Sequence, residues 1–184
     1  FDEIMLQDFD KLLAKNSGDM FLVLHQKGSH GPSYYKRSPA NFKKYIPECT
    51  QDNVQDCERQ SIINAYDNTI LYTDHFLAKL IARLKKESYP TAMLYVSDHG
   101  ESLGENNIFL HGMPYPIAPK QQTQVPMIFW GSASYLKERS IDKADLADKQ
   151  HNQYSHDFLF HTVLGLFKVE TAAYKQELDL FRSI

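Results

Sequence analysis

Three segments of the sequence carry side chains suited to metal or phosphoryl chemistry. Asp98 and His99 directly follow a run of five apolar residues. His30 stands a few residues beyond another apolar run, and His111 lies in a long segment before a third. A carboxylate together with imidazole nitrogens is a ligand set that Zn²⁺ or Mn²⁺ accepts. Asp98 and His99 are adjacent, so both can face one ion only where the chain turns, and Gly100 permits such a turn. The alternative to a metal site is an Asp-His pair in an ordinary loop.

The three apolar runs, at residues 20–24, 92–96 and 125–130, predict strands. Each run is short, continuous and bounded by turn-forming residues, which is typical of strands buried on both faces of a parallel sheet. Apolar residues that recur every three or four positions from about 58 to 87 predict a long helix between the first two strands. These two strands and the helix would form a right-handed β-α-β crossover.

Parallel strands would bring the candidate metal and phosphoryl ligands together. Ligands bind outside the carboxyl ends of such strands, so His30, His111 and the pair of Asp98 and His99 are expected at one edge of the sheet. Residues 97–124 are expected to hold little regular structure, which is unusual inside a compact domain unless the segment is functional. With further helices at about 2–13 and 155–167, the sequence predicts a layered α/β/α fold with a mostly parallel sheet, as one domain over residues 1–184.

The composition excludes intrinsic disorder and argues against nucleic acid as a partner. The chain has 20 Lys and Arg against 23 Asp and Glu, a net charge of −3, and so lacks the strongly basic face that a phosphate backbone needs. No apolar run is long enough to span a membrane. A local basic cluster beside His30 fits either anionic substrate or lipid headgroup binding, or a solvated face; its members are Lys27, Lys36, Arg37, Lys43 and Lys44.

Cys49 and Cys57 are the only cysteines in the sequence and lie eight positions apart in a polar loop. They form no CxxC pair and have no histidine cluster nearby, so zinc ligation by this pair is disfavoured. A local disulfide is the favoured interpretation, and it would place the chain in an oxidising compartment. Two reduced thiols on a cytosolic surface are the alternative.

Four sequence blocks, taken together, resemble the phosphoethanolamine transferases that modify lipid A, a family that includes the colistin (polymyxin) resistance transferases. The blocks are GSHGPSYY at 28–35, YDNT at 66–69 with YTD at 72–74, YVSDHGESLG at 95–104 and LHGMPY at 110–115. The likeness runs in order from residue 21 to the C-terminus. The family belongs to the alkaline phosphatase and sulfatase superfamily, so the resemblance implies that fold.

The resemblance implies an enzyme with a two-step transfer. A zinc-activated threonine would take phosphoethanolamine from phosphatidylethanolamine and pass it to a phosphate of lipid A. Asp98 and His99 would be zinc ligands, and His30 and His111 would contact the phosphoryl group or a second zinc, so one or two ions are expected. Cys49 and Cys57 would be a disulfide pair of the family.

The resemblance covers only the C-terminal half of the soluble catalytic domain of these membrane-anchored enzymes. In the family, the threonine, a glutamate zinc ligand and the transmembrane helices lie upstream of the matched region. The partners implied are therefore the lipid donor, the lipid A acceptor, the missing upstream half and the transmembrane domain. The implied location is the periplasmic face of a Gram-negative inner membrane, and the chain alone is expected to be inactive or badly impaired.

Two other functions stay open from the sequence. A sulfatase or phosphodiesterase-type hydrolase of the same superfamily would share Asp98, His99 and the sheet, but should not need the combined blocks at 28–35 and 110–115. A non-catalytic module could instead bind anionic lipid headgroups through the basic cluster. For the transferase, the acceptor stays open between a lipid A phosphate, a core sugar and another periplasmic glycan.

Overall fold

The computed structural model describes residues 1–15 and 18–182. The helices of these residues are α1 (Phe9–Ala14), α2 (Arg59–Leu84), α3 (Lys120–Thr123), α4 (Ala133–Glu138), α5 (Lys143–Lys149) and α6 (Asp157–Leu166). The strands are β1 (Ala92–Val96), β2 (Ser102–Glu105), β3 (Ile108–Leu110) and β4 (Met127–Gly131). Short 3-10 helices cover Asp2–Leu6, Tyr34–Lys36, Ala40–Phe42, Val54–Asp56, Tyr115–Ile117 and Gln176–Leu178.

The long helix predicted from the apolar periodicity is confirmed as α2, which has 26 residues. Its buried stripe includes Ile62, Tyr72 and Phe76, each at most 2% exposed. At about 1.5 Å per residue the helix is roughly 39 Å long. It ends at Leu84, before Pro90, as expected where a proline cannot continue a helix.

α2 supports two apolar clusters. One is shared with α1 and β1 and comprises Phe9, Leu13, Phe76, Leu77, Leu80, Leu84 and Met93. The other lies beside the loops that precede α2 and comprises Tyr34, Cys49, Val54, Ile62, Ala65 and Leu103. The second cluster contains one half of the Cys49–Cys57 disulfide, whose Cα atoms are 5.7 Å apart, so the disulfide prediction is confirmed. The opening helix predicted at 2–13 is divided into a 3-10 turn and α1.

The strands predicted at 92–96 and 125–130 are confirmed as β1 and β4, which pair with each other. The strand predicted at 20–24 is wrong, since these residues are all described and form no strand. Met20 and Leu24 pack against the first apolar cluster, but Val23 between them is 74% exposed. A central strand of a parallel sheet must be covered on both faces, and this segment is not. Because the first strand is missing, the described residues do not form the predicted β-α-β crossover.

Residues 97–124 hold more regular structure than predicted. β2 and β3 form an antiparallel hairpin in which Ser102 lies opposite Leu110. Asn106 and Asn107 at its turn have φ values of 52° and 62°, the left-handed conformation that two-residue hairpin turns require and asparagine tolerates. The sequence prediction failed here because the strands have only four and three residues, too few to show a clear apolar pattern.

The described residues form two compact units. The first comprises Phe1–Lys86 with Met93–Trp130, and it contains every candidate site residue predicted from the sequence. The second comprises Glu87–Ala92 with Gly131–Ile184 and includes α5 and the predicted C-terminal helix, α6. A single domain over residues 1–184 stays a prediction. Within the described part of the chain, no helix is both long and apolar enough to cross a membrane.

Candidate metal centre

Three histidines that are far apart in the sequence meet in the first unit. His30, His99 and His111 each offer a nitrogen within 4.8 Å of the nitrogens of the other two. Their ring centroids are 5.6 Å apart for His30 and His99, 4.9 Å for His30 and His111, and 3.8 Å for His99 and His111. The structure thus brings together three of the four residues that the sequence predicted to converge.

The hydrogen bonds of the three rings indicate which nitrogen is available. Nδ1 of His30 lies 2.7 Å from the carbonyl oxygen of the next residue, and Nδ1 of His99 lies 3.0 Å from the carbonyl oxygen of its own next residue. Nδ1 of His111 lies 3.2 Å from Oε1 of Glu101. A carbonyl oxygen only accepts, so Nδ1 of His30 and His99 must donate, and the neutral ring then offers the lone pair of Nε2.

Asp98 lies next to this group without being one of the three. Its Oδ2 is 3.9 Å from Nε2 of His99, and its Oδ1 accepts a hydrogen bond from the His99 amide at 3.0 Å. The side chain is 81% exposed. Imidazole nitrogens with a carboxylate nearby are donors that Zn²⁺ accepts, so the chemistry of these residues fits that ion.

Gly100 is required for a close backbone contact. Its amide donates to the carbonyl oxygen of Gln122 at 2.9 Å, and an added Cβ would lie 2.0 Å from the carbonyl oxygen of Gln121. The turn after β1 is held further by the hydroxyl of Ser97, which donates to the carbonyl oxygen of His99 at 2.8 Å. The chain therefore turns at the end of β1 as predicted, and packing against α3 accounts for the glycine.

His111 is presented by a backbone in an unusual conformation. Leu110, the last residue of β3, has φ of 63°, and Gly112 has φ of 98°. Glycine adopts such a conformation readily, whereas for leucine it costs about 1–2 kcal/mol. Gln122 stabilises the next residue in the loop, because its Oε1 accepts from the amide of Met113 at 3.2 Å.

Glu101 is a site residue that the sequence analysis missed. Its carboxylate is 4% exposed and accepts hydrogen bonds from the amide of Gly31 at 3.1 Å and the hydroxyl of Tyr34 at 3.2 Å, besides its contact with His111. Burial, and next the charge of Glu101, raise the pKa of Tyr34, so its phenol stays protonated and donates. The signal that could have found Glu101 is its position two residues after His99.

The basic cluster is largely engaged with its neighbours. Lys36 contacts Asp52 at 2.7 Å, a hydrogen bond that raises the pKa of Lys36. Lys43 contacts Glu48 at 2.6 Å. Nε of Arg37 donates to the carbonyl oxygen of His30 at 3.1 Å, so this side chain helps to hold the loop that carries His30. Three of the five members thus have partners within the chain, and anionic substrate or lipid headgroup binding by the cluster stays a prediction.

Comparison with known proteins agrees with this architecture. The profile of the Sulfatase family matches residues 1–169. The phosphoethanolamine transferase EptA of Escherichia coli (strain K12) is 43% identical over 186 residues, which cover 100% of this chain and 34% of that protein. The chain thus spans about a third of the length of the curated relatives that it matches.

Two solved structures extend the similarity to the fold. One is the integral membrane protein lipooligosaccharide phosphoethanolamine transferase A (EptA) from Neisseria meningitidis, with a TM-score of 0.96 and 43% identity over 100% of this chain and 35% of that one. The other is the C-terminal periplasmic domain of phosphoethanolamine transferase EptC from Campylobacter jejuni, with a TM-score of 0.89 and 46% identity over 98% of this chain and 57% of that one. The predicted fold class is thereby confirmed.

Proposed function

The chain belongs to the sulfatase family, and from this premise we propose that it is part of a transferase that moves phosphoethanolamine to a phosphate of lipid A. The observation that carries the proposal is the group of His30, His99 and His111, whose nitrogens lie within 4.8 Å of one another. The relatives named above are phosphoethanolamine transferases, which supports the same reaction for this chain.

Zinc is the proposed resident metal. Asp98 and His99 would hold one ion, as the resemblance implies, and His30 and His111 would hold a second ion or contact the phosphoryl group directly. When bound, zinc would lower the pKa of an attacking hydroxyl and offset negative charge on the phosphoryl oxygens. The Nε2 atoms of these histidines suit both roles, because imidazole nitrogen is a common zinc ligand and, when protonated, a hydrogen-bond donor to phosphate.

The chain's own residues would orient the phosphoryl group and move protons. In the first step a threonine oxygen would form a bond to phosphorus while the bond to the diacylglycerol oxygen of phosphatidylethanolamine breaks. Nε2 of His30 or His111 would take up the threonine proton and then return it to the leaving oxygen. In the second step a lipid A phosphate oxygen would attack phosphorus and release the threonine.

The proposed catalytic centre is completed by residues outside this chain. The nucleophilic threonine and a glutamate ligand would come from the remaining two thirds of the protein, as in the family. The solved relatives include an integral membrane protein and a periplasmic domain, which supports action on two lipids at the periplasmic face of a bacterial inner membrane. The chain by itself would bind metal weakly and would not catalyse the transfer.

Elemental analysis of the purified chain and of the complete protein tests the proposal. We expect near-stoichiometric zinc in the complete protein and a large loss of zinc in Asp98→Ala. His151→Ala, an exposed histidine in the second unit, is the matched control and should keep its zinc. Absence of specific zinc from the complete protein would contradict the proposal.

A transfer assay with phosphatidylethanolamine and lipid A tests the reaction itself. The expected product is lipid A heavier by one phosphoethanolamine group, observed by mass spectrometry and absent in Asp98→Ala. The family match also fits a hydrolase, which would release the headgroup to water without an acceptor. A sulfatase-type hydrolase needs a modified cysteine, and both cysteines of this chain form a disulfide, so that nucleophile too would lie elsewhere. Headgroup release that does not depend on lipid A would favour the hydrolase.

A further inference from the structure

We propose that Glu101 is a positioning residue that fixes the ring of His111, so that Nε2 of His111 faces the centre as the available nitrogen. The proposal concerns the geometry of the ring, and only its consequence for activity rests on the proposed transferase function. Oε1 of Glu101 lies 3.2 Å from Nδ1 of His111. A carboxylate that accepts from Nδ1–H holds an imidazole in one tautomer and one orientation.

His111 depends on a distant side chain where the other two histidines do not. Nδ1 of His30 and of His99 is held by the carbonyl oxygen of the residue that follows each in the backbone. Those contacts persist as long as the local backbone does. Nδ1 of His111 is held by the side chain of Glu101, ten residues away, in a ring that is 32% exposed. A substitution at Glu101 can therefore release this ring without touching the other two.

The carboxylate of Glu101 is itself held firmly. The amide of Gly31 donates to Oε1 at 3.1 Å and the hydroxyl of Tyr34 donates to Oε2 at 3.2 Å, in a pocket that leaves the side chain 4% exposed. There is no room for Gly31 to carry a side chain, since an added Cβ would lie 2.6 Å from Cδ2 of Leu110 and 2.7 Å from Oη of Tyr34. Glu101 thus connects the segment of His30 to the ring of His111.

Removal of the carboxylate should have a defined effect. Without an acceptor at Nδ1, the ring of His111 can turn over and exchange its tautomers, so Nε2 is no longer held toward the other two histidines. Loss of a carboxylate partner behind a metal-binding histidine typically weakens metal binding or activity by about 10- to 100-fold. We expect a loss of this size in Glu101→Ala.

Nitrogen NMR of the histidine rings in the purified chain tests the geometry directly. The wild-type chain should show His111 with its proton on Nδ1, and Glu101→Ala should show a mixture of tautomers. Glu101→Gln should keep the wild-type signal, because its amide oxygen still accepts from Nδ1 and the hydroxyl of Tyr34 can turn to accept from the amide. Tyr34→Phe is the control that removes a partner of Glu101 but leaves the contact with His111. A wild-type proton on Nε2, or no change in Glu101→Ala, would overturn the proposal.

A double-mutant cycle on the complete protein separates positioning from a purely structural role. Zinc affinity and transfer rate are measured for Glu101→Ala, His111→Ala and the double variant, with melting curves to establish folding. If Glu101 acts through His111, adding Glu101→Ala to His111→Ala should cause no further loss. An additive loss would contradict the proposal. If Glu101→Ala does not fold, the test falls to Glu101→Gln, and loss of the wild-type tautomer in that variant would contradict the proposal. Failure of the transfer assay in the wild type would instead count against the proposed function, and the ring measurement would be unaffected.

Discussion

The rings of His99 and His111 stack with their centroids 3.8 Å apart and their planes 28° from parallel. One ring follows the end of β1 and the other follows the end of β3, so their contact depends on how the β2–β3 hairpin folds back on the turn after β1. The arrangement of the candidate metal centre therefore depends on the position of the hairpin. Substitutions that alter this turn should affect both rings.

Asp98→Asn should weaken zinc binding while leaving the fold intact. We expect at least about a tenfold loss of zinc affinity in the complete protein, because a neutral amide is a poor ligand for zinc. In the metal-free chain the free energy of unfolding should change by less than about 0.5 kcal/mol, since the side chain is 81% exposed. Titration with zinc and a denaturant curve check the two effects. Asp148→Asn, on the exposed face of α5, should change neither.

Gly100→Ala should destabilise the first unit. The added methyl group would lie 2.0 Å from the carbonyl oxygen of Gln121, so the backbone of α3 must move away. Overpacking of this kind costs about 1–3 kcal/mol, measurable as a lower melting temperature. Gly18→Ala is the matched control, because an added Cβ there meets nothing within 4 Å. Equal melting temperatures for the two variants would contradict the close contact.

Removal of the Cys49–Cys57 disulfide should lower stability. The bridge closes a loop with a sequence separation of 8, for which loop entropy predicts a loss of roughly 2–3 kcal/mol. The double variant Cys49→Ala/Cys57→Ala and the reduced wild type should both unfold at lower denaturant concentration. If reduction leaves the unfolding midpoint unchanged, the bridge does not contribute to stability.

Glu3 should make stability depend on pH in the acidic range. A hydrogen bond from Lys79 at 2.7 Å, together with one from His75, lowers the pKa of Glu3 below its model-compound value of 4.5. A carboxylate with a lowered pKa contributes stability above its unfolded pKa and loses it as pH falls through the folded pKa. Glu3→Gln should thus be less stable than the wild type at pH 7, and this difference should shrink below about pH 4.5. Denaturant curves at several pH values check this, with Glu170→Gln as the exposed control.

The sequence predicted the elements whose signals are local. α2 followed from apolar periodicity and β1 from a continuous apolar run, because each pattern is complete within its own segment. The convergence of His30 with His99 and His111 was also predicted, although the strand expected before His30 is not formed. The apolar residues at 20–24 gave the wrong result because the burial of a strand depends on neighbours that its own sequence does not contain.

Glu101 was missed for a related reason. Its partners Gly31 and Tyr34 lie about seventy residues earlier in the chain, so no local pattern links a carboxylate at this position to a histidine ring. The sequence did show that the residue lies two positions after His99. Hydrogen-bond partners this distant become visible only when the chain is folded.

Gln122 connects α3 to both sides of the candidate metal centre. This buried residue accepts from the amide of Gly100 through its backbone, and its side chain contacts both Ser102 and the amide of Met113. One glutamine thus acts as a spacer between the segment of His99 and the segment of His111. A change in the length of this side chain should therefore displace both histidine segments, although neither histidine is itself altered.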